Sequence, residues 1–278
     1  NNIFGWGGNF GERIVGFFKD EPIAGAYING FILLICGYLL LIFKNNKKLY
    51  FLITLFFLAF LFSIIITGER SNSLKAIFGA ILFLTCLDFI KLRSKVLIFL
   101  LFVGSLILVV SNSTYLKNRY VDQLYHDAFS EKNYEFFEKN IYIKLYKSGF
   151  EVFKNYPLLG VGNKNYRVET CSEKAKKFDY YCLTHPHQVY FELLSEHGLI
   201  GTTILLSLFF YLIFKNLKIM LLSQNYIQIG AFIYLLSTFL PLLPSGSFFS
   251  DFNITLFFIN LSLMYGVNKD TNIFFQKN

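Results

Sequence analysis

Charge is what this 278-residue chain has least of for its size. Only 16% of its residues are Asp, Glu, Lys or Arg, against about 25% in an ordinary soluble domain. Long stretches contain no charge at all, which a water-facing surface does not tolerate, so a soluble globular fold is excluded. The same stretches lack the apolar–polar alternation of membrane β-barrel strands. No basic–apolar–small leader precedes the first apolar run. The chain opens at Asn1 rather than Met, so a fragment or processed chain with helices missing upstream is expected. Histidine and cysteine number four each, and no Cys or carboxylate cluster at a standard spacing completes a metal site around the histidines. The formal charge of +8 does not point to a nucleic-acid partner. The basic residues fall largely in short clusters between apolar runs and in one long polar segment, where they act as topology determinants.

What is abundant is apolar surface: 54% of residues are hydrophobic and 35 are Phe. Apolar runs cover residues 26–43, 49–67, 73–90, 96–110, 199–214, 227–243 and 252–267. A spanning helix needs about 20 apolar residues, and the shorter runs reach this by borrowing flanking residues or by local bilayer thinning. Basic connectors alternate: Lys44, Lys47 and Lys48; Lys91, Arg93 and Lys95; Lys215 and Lys218; Lys269 and Lys277. The positive-inside rule puts these four in the cytoplasm. Residues 1–25, 68–72, 111–198 and 241–251 then lie outside. The expected fold is all-α: a polytopic bundle of about seven transmembrane helices with a large helical periplasmic loop as lid. Three parts follow, an N-terminal segment with four helices (1–110), the outer loop (111–198) and three C-terminal helices (199–278).

The outer loop is more than a linker. Residues 134–155 place Phe136, Phe137, Ile141, Leu145, Phe150 and Phe153 at helical spacing, as amphipathic helices lying on the membrane or packed over the bundle do. Cys171 and Cys182 fall in this disulfide-permissive segment, and a bridge between them is expected. Cys36 and Cys86 lie in apolar runs and read as packing residues. His126, isolated between Tyr125 and Asp127, reads as surface.

Two stretches carry the chemistry. Pro157-Leu-Leu-Gly-Val-Gly162 is followed by Thr184-His-Pro-His-Gln-Val-Tyr-Phe-Glu-Leu-Leu-Ser-Glu-His-Gly-Leu-Ile-Gly201. Pro186 suits the first position of a helix, with Thr184 or His185 as its cap and His187 in its first turn. The positive end of the helix dipole disfavours imidazolium. A neutral His187 could then accept a proton as general base. His185, His187 and His197 also admit two plainer readings, as metal ligands or as structural polar residues at a membrane boundary. Glu192 and Glu196, one turn apart, suit either orientation of a histidine ring or solvation at the interface. Asp88 is expected to pair with Lys91. Of the few arginines, Arg13, Arg70, Arg119 and Arg167 fall on the outer side, where guanidinium forks suit phosphate. Headgroup snorkelling is the alternative for each, as it is for Lys75.

Together these stretches resemble the O-antigen ligase and polymerase superfamily, lipid-linked oligosaccharide glycosyltransferases of the bacterial inner membrane. Its members commonly show a His-x-His-Asn motif before a helix ending in Gly-Leu-Ile-Gly. Arg13-Ile-Val-Gly-Phe-Phe and Gly68-Glu-Arg-Ser also resemble its Arg-x-x-Gly-x-Phe and Ser-Arg-Ser stretches. The chain departs at Gln188, where the family usually has Asn and an amide is preserved. It departs again before Pro-Leu-Leu-Gly, where Lys139 and Lys144 stand near the family's frequent Arg. The resemblance implies metal-independent, inverting transfer without a cofactor, from an undecaprenyl-diphosphate-linked glycan on the periplasmic face. His187 would be the base, supported by His185, Gln188 and Glu192. Arg13, Arg70, Arg119 and Arg167 would hold the donor diphosphate. Lipid A-core is the preferred acceptor, with a second lipid-linked repeat (polymerase) or a protein hydroxyl as alternatives. A transporter or flippase is the reading from another class, and a ligand sensor a third. Against the transporter, these runs hold almost no central charge.

Overall fold

A computed structural model describes residues 8–10, 13–16, 18, 23–43, 46–123, 125, 140–272 and 274–275. Lys44, His126, residues 134–139 (with Lys139) and Lys277 lie outside the described residues. The expected all-α fold needs one amendment. A short antiparallel hairpin, β1 (Gly8–Phe10) with β2 (Arg13–Gly16), precedes the first helix, pairing Phe10 with Arg13 and Asn9 with Ile14.

Helices then follow the apolar runs: α1 (Ala24–Ile42), α2 (Lys47–Ile66), α3 (Arg70–Cys86) and α4 (Leu92–Ser111). The short α5 (Thr114–Lys117) continues into a π-helical turn at Asn118–Asp122. The 111–198 segment also contributes α6 (Ile141–Asn155), α7 (Tyr166–Thr170) and a 3-10 turn at Glu173–Lys177. The C-terminal part carries α8 (Val189–Phe214), α9 (Leu217–Ser223), α10 (Tyr226–Thr238) and α11 (Asp251–Gly266). Among the described residues, Ala24–Ile42, Leu92–Ser111 and the continuous stretch Val189–Ser223 are long and apolar enough to cross a membrane. The third apolar run reaches residue 90, but its helix stops at Cys86 because Leu87 turns to an extended conformation. Asp88 accepts a hydrogen bond from the Tyr226 hydroxyl at 2.6 Å, a partner the expected pairing with Lys91 did not include.

The chain forms two compact units. The first comprises Asn1–His126, Asn216–Thr238 and Phe258–Asn278; the second comprises Asp127–Lys215 and Phe239–Phe257. In the first, α1 and α10 meet through glycine. A methyl group on Gly230 would fall 2.5 Å from the Leu33 carbonyl oxygen, and one on Gly37 would overlap the Tyr226 backbone. Small residues at such crossings let helix backbones approach closely in membrane proteins. Ile32, Leu33, Cys36, Leu40, Ile229 and Ile233 fill the surrounding core.

In the second unit, α6 turns Leu145, Ser148, Gly149 and Val152 inward, the i, i+3, i+4, i+7 stripe of an amphipathic helix. The Asn140 side chain caps it by accepting from Tyr142 N and Ile143 N, which satisfies otherwise orphaned amides. Phe209 of α8 packs on Phe239, Phe248 and Phe257 at centroid distances of 6.0, 5.5 and 5.1 Å. Helix α8 is broken at Gly198, which sits at φ 63°, ψ −169°. The break is an exchange of hydrogen bonds rather than a loss. Leu199 N and Ile200 N, whose helical partners would be the carbonyls of Ser195 and Glu196, donate to Pro157 O and Leu158 O at 2.8 and 3.1 Å. The freed carbonyls of Ser195 and Glu196 accept from Val161 N and Gly162 N at 3.0 and 2.8 Å. The two motif stretches are thus one backbone joint, and side chains cannot enter it. A Cβ on Gly198 would overlap the Leu158 backbone, and one on Gly160 would overlap that of Glu196. Gly198→Ala is therefore expected to cost at least about 1–3 kcal/mol, the usual range for backbone held in such a region. A lowered unfolding midpoint of the detergent-solubilised variant reports it, with Gly104→Ala, where a Cβ meets nothing within 4 Å, as the control.

Candidate active site

Pro186, His187 and Gln188 lead into α8, but the helix starts later than the Pro186 rule suggests. His187 has φ 56°, a left-handed conformation that a helix cannot incorporate. The first helical residue is Val189, and its N-cap is Gln188, not Thr184 or His185. Gln188 is buried, and its Oε1 accepts from Tyr190 N at 2.8 Å and Phe191 N at 3.1 Å. This amide spends its acceptor on the helix end, the task N-cap side chains perform.

His187 is held from the connector between α10 and α11. Ser245 N donates to the His187 carbonyl at 2.8 Å, and His187 Nδ1 lies 3.2 Å from the Ser245 carbonyl oxygen. A carbonyl only accepts, so in the neutral ring this bond puts the proton on Nδ1 and makes Nε2 the unprotonated nitrogen. Tyr142 of α6 meets the ring edge-on at 6.1 Å, and the His185 ring lies 4.0 Å away. Gly149 keeps α6 close, since a Cβ there would approach Pro186 to 3.0 Å.

The connector itself is fixed by Glu192. That residue is 1% exposed; Oε1 accepts from Ser247 Oγ at 2.5 Å and Oε2 from Phe248 N at 2.8 Å. A buried carboxylate without donors would be costly, and here both oxygens are engaged. Glu196 is buried likewise and accepts from Lys164 N at 2.8 Å. Neither carboxylate is solvated at an interface. His197 packs edge-on against Phe249 at 5.1 Å. Sequence reasoning assigned no role to Ser245 and Ser247. Their only signal was a Pro-, Ser- and Gly-rich connector, Pro241-Leu-Leu-Pro-Ser-Gly-Ser247.

Cys171 and Cys182 form a disulfide that closes the loop carrying the 3-10 turn. Tyr166 of α7, fully buried, donates to Ser148 Oγ of α6 at 2.7 Å, and Tyr181 N ties the loop to α6 by donating to the same oxygen. Arg167, on α7 of this unit, is exposed.

Three of the four arginines expected outside, Arg13, Arg70 and Arg119, gather in the first unit around the turn between α2 and α3. Ile14 N of β2 donates to Thr67 O at 2.9 Å, setting Arg13 beside the turn. Arg119 donates from Nε to Gly68 O at 3.0 Å and from Nη1 to Gln123 Oε1 at 2.8 Å. Arg70 Nη2 reaches the same Gln123 oxygen at 3.3 Å. Gly68, at φ 75°, allows the tight reversal. Glu69 braces it from below: Oε1 accepts from Gly25 N near the start of α1 at 2.7 Å and Oε2 from Asn72 Nδ2 at 2.6 Å. Burial pushes this carboxyl above its usual range, while those bonds and the Arg13 charge pull it back. A concentration of guanidiniums at one turn suits a multiply charged oxyanion. Lys75, a turn into α3, lines a small cavity of the same unit with Asn29 and Tyr234. Among the described residues, no group of three His, Cys, Asp or Glu side chains is placed to hold a metal ion.

Burial, then the neighbouring His187 ring, lowers the His185 imidazole to about 4, against a smaller upward pull from the Ser245 backbone. The group is depressed on folding, so its stabilising contribution is complete above the unfolded value near 6.5 and is lost as pH falls from there toward 4. His185→Phe is expected to remove that dependence. The wild type should lose stability relative to the variant as pH falls from 6.5, and a constant difference would contradict the assignment.

A family model described as O-antigen ligase matches residues 55–206, a stretch from within α2 to within α8 that includes Arg70, Arg119, Arg167 and His187. No curated protein matches the chain. The matched family consists of glycosyltransferase-like enzymes whose partners are a lipid-linked glycan and an acceptor. Its match agrees with the apolar helices in indicating a membrane protein. The chain belongs to the O-antigen ligase family.

Proposed function

We propose that this protein transfers a glycan from undecaprenyl diphosphate to lipid A-core on the periplasmic face of the bacterial inner membrane, with inversion and without a metal. The observation that carries the reading is the backbone bracket on His187, which directs a proton-accepting Nε2 away from Ser245. In the reaction, Nε2 takes the proton of an acceptor hydroxyl as its oxygen attacks the anomeric carbon. The bond from that carbon to the diphosphate oxygen breaks, and the electron pair leaves with undecaprenyl diphosphate. A single in-line displacement inverts the centre. The negative charge that develops on the leaving group calls for fixed positive charge, the role assigned to Arg13, Arg70 and Arg119, with Arg167 as a further donor contact. Gln188 and Glu192 keep His187 in place through the helix cap and the Ser245 connector, and His185 packs against its ring. The topology that goes with this role has seven spans, basic connectors in the cytoplasm and the 111–198 segment outside.

His187→Asn keeps a residue that tolerates left-handed backbone while removing the base. Purified variant given donor and lipid A-core should release undecaprenyl diphosphate at least about 100-fold more slowly, the usual scale of general-base catalysis, with donor binding intact. Arg70→Ala and Arg119→Ala should weaken donor binding instead, and a chelator should change no rate. Wild-type release by His187→Asn would end the mechanism. In a deletion strain, bare core on a gel supports the ligase, whereas core bearing one repeat identifies a polymerase.

A further inference from the structure

The turn that opens the break in α8 is apolar on its outer side. Leu158 and Leu159 are 62% and 72% exposed, and the residues bonded to or following it on α8, Leu199, Ile200 and Ile204, are 54%, 48% and 62% exposed. The hydrogen bonds from Leu199 N and Ile200 N to Pro157 O and Leu158 O make these side chains neighbours rather than scattered exposures. The patch continues along α8 through Leu208 and Tyr211, also exposed, on a stretch long and apolar enough to cross a membrane. No charge interrupts the chain between Lys154 and Lys164.

Several backbone groups of this turn are bonded within the protein. Gly160 N donates to Tyr156 O at 3.1 Å, Val161 N and Gly162 N donate to α8, and Pro157 O and Leu158 O accept from it. Water would solvate those groups without such bonds. Hydrocarbon would not, and non-helical backbone at membrane depth is tolerated only where the protein itself supplies the partners. Tyr156, 41% exposed, and the flanking lysines are residue types that favour the headgroup boundary.

We infer that the Pro157–Gly162 turn is a membrane wedge, with Leu158 and Leu159 seated among the acyl chains of the outer leaflet beside the Gly198 break. It would act as a depth gauge for the second unit, because its register on α8 is locked by backbone bonds at both ends. This inference does not depend on the transfer reaction.

The test uses tryptophan depth in the full chain. Trp6, the single tryptophan, is replaced in a Trp6→Phe background that carries Leu159→Trp, reconstituted in vesicles of phosphatidylcholine brominated near the top of the acyl chain. Asp179→Trp, at an exposed charged position of the same unit, is the control. Leu159→Trp is expected to emit at shorter wavelength than the control and to lose most of its emission in brominated lipid, while the control keeps its own. Leu158→Trp gives the same readout should the first variant fold poorly. Water-like, unquenched emission from both leucine sites would overturn the inference and leave the patch to a protein partner.

Discussion

A carboxylate inside an apolar helix packing is tolerated only where its oxygens find donors, and Glu192 finds them in the connector between α10 and α11. The Ser247 hydroxyl and the Phe248 amide occupy both oxygens. That clamp draws the connector against the first turn of α8. Two residues before Ser247, the Ser245 backbone closes on His187 from both sides, amide to carbonyl and carbonyl to ring. The unfavourable left-handed backbone of His187 is held between this bracket and the Gln188 cap. Polar satisfaction in the core and orientation of the His187 ring are one constraint, and the left-handed residue is held by the structure around it.

A second constraint acts at the other end of the same helical segment. The Gly198 break hands two rungs of the helix ladder to the Pro157–Gly162 turn and takes two back. Nothing larger than hydrogen fits at Gly160 or Gly198, which explains why both motif stretches carry glycine there. The segment from Val189 to His197 is therefore fixed at both ends by chain distant in sequence. In the first unit the arginine turn obeys a similar rule. Gly68 permits the reversal, Glu69 fastens it to α1, and Gln123 collects two guanidiniums whose mutual repulsion its carbonyl oxygen offsets.

Much of this was legible in the sequence, and the part that was not has a physical reason. Apolar runs marked α1 to α4, α8, α10 and α11 because a helix facing lipid must be apolar nearly all round. The paired cysteines and the arginine at a tight turn were readable as residue types at given places, whereas His187, expected in the first turn of a helix, precedes the N-cap. Helix ends were less so. Pro186 satisfies the rule for a first helical position, yet the buried Gln188 amide wins the cap, since a side-chain acceptor satisfies two amides where proline merely lacks one. The break at Gly198 falls where the polar Ser195-Glu196-His197 gives way to the apolar run from residue 199, and a change in hydropathy does not say that the helix ladder is exchanged with another turn. The partners of Glu192, 55 and 56 residues away, and the Ser245 bracket on His187 belong to long-range packing. No local periodicity encodes them.

The orientation of one imidazole can be measured without any substrate. Nitrogen-15 spectra of the histidine-labelled protein, with the His187 signal assigned by its loss in His187→Asn, distinguish the two neutral tautomers. The expected result is a proton on Nδ1 and an unprotonated Nε2 for His187. A neutral ring carrying its proton on Nε2 would mean that the Ser245 carbonyl does not hold it, and the assignment of His187 as base would fail with it.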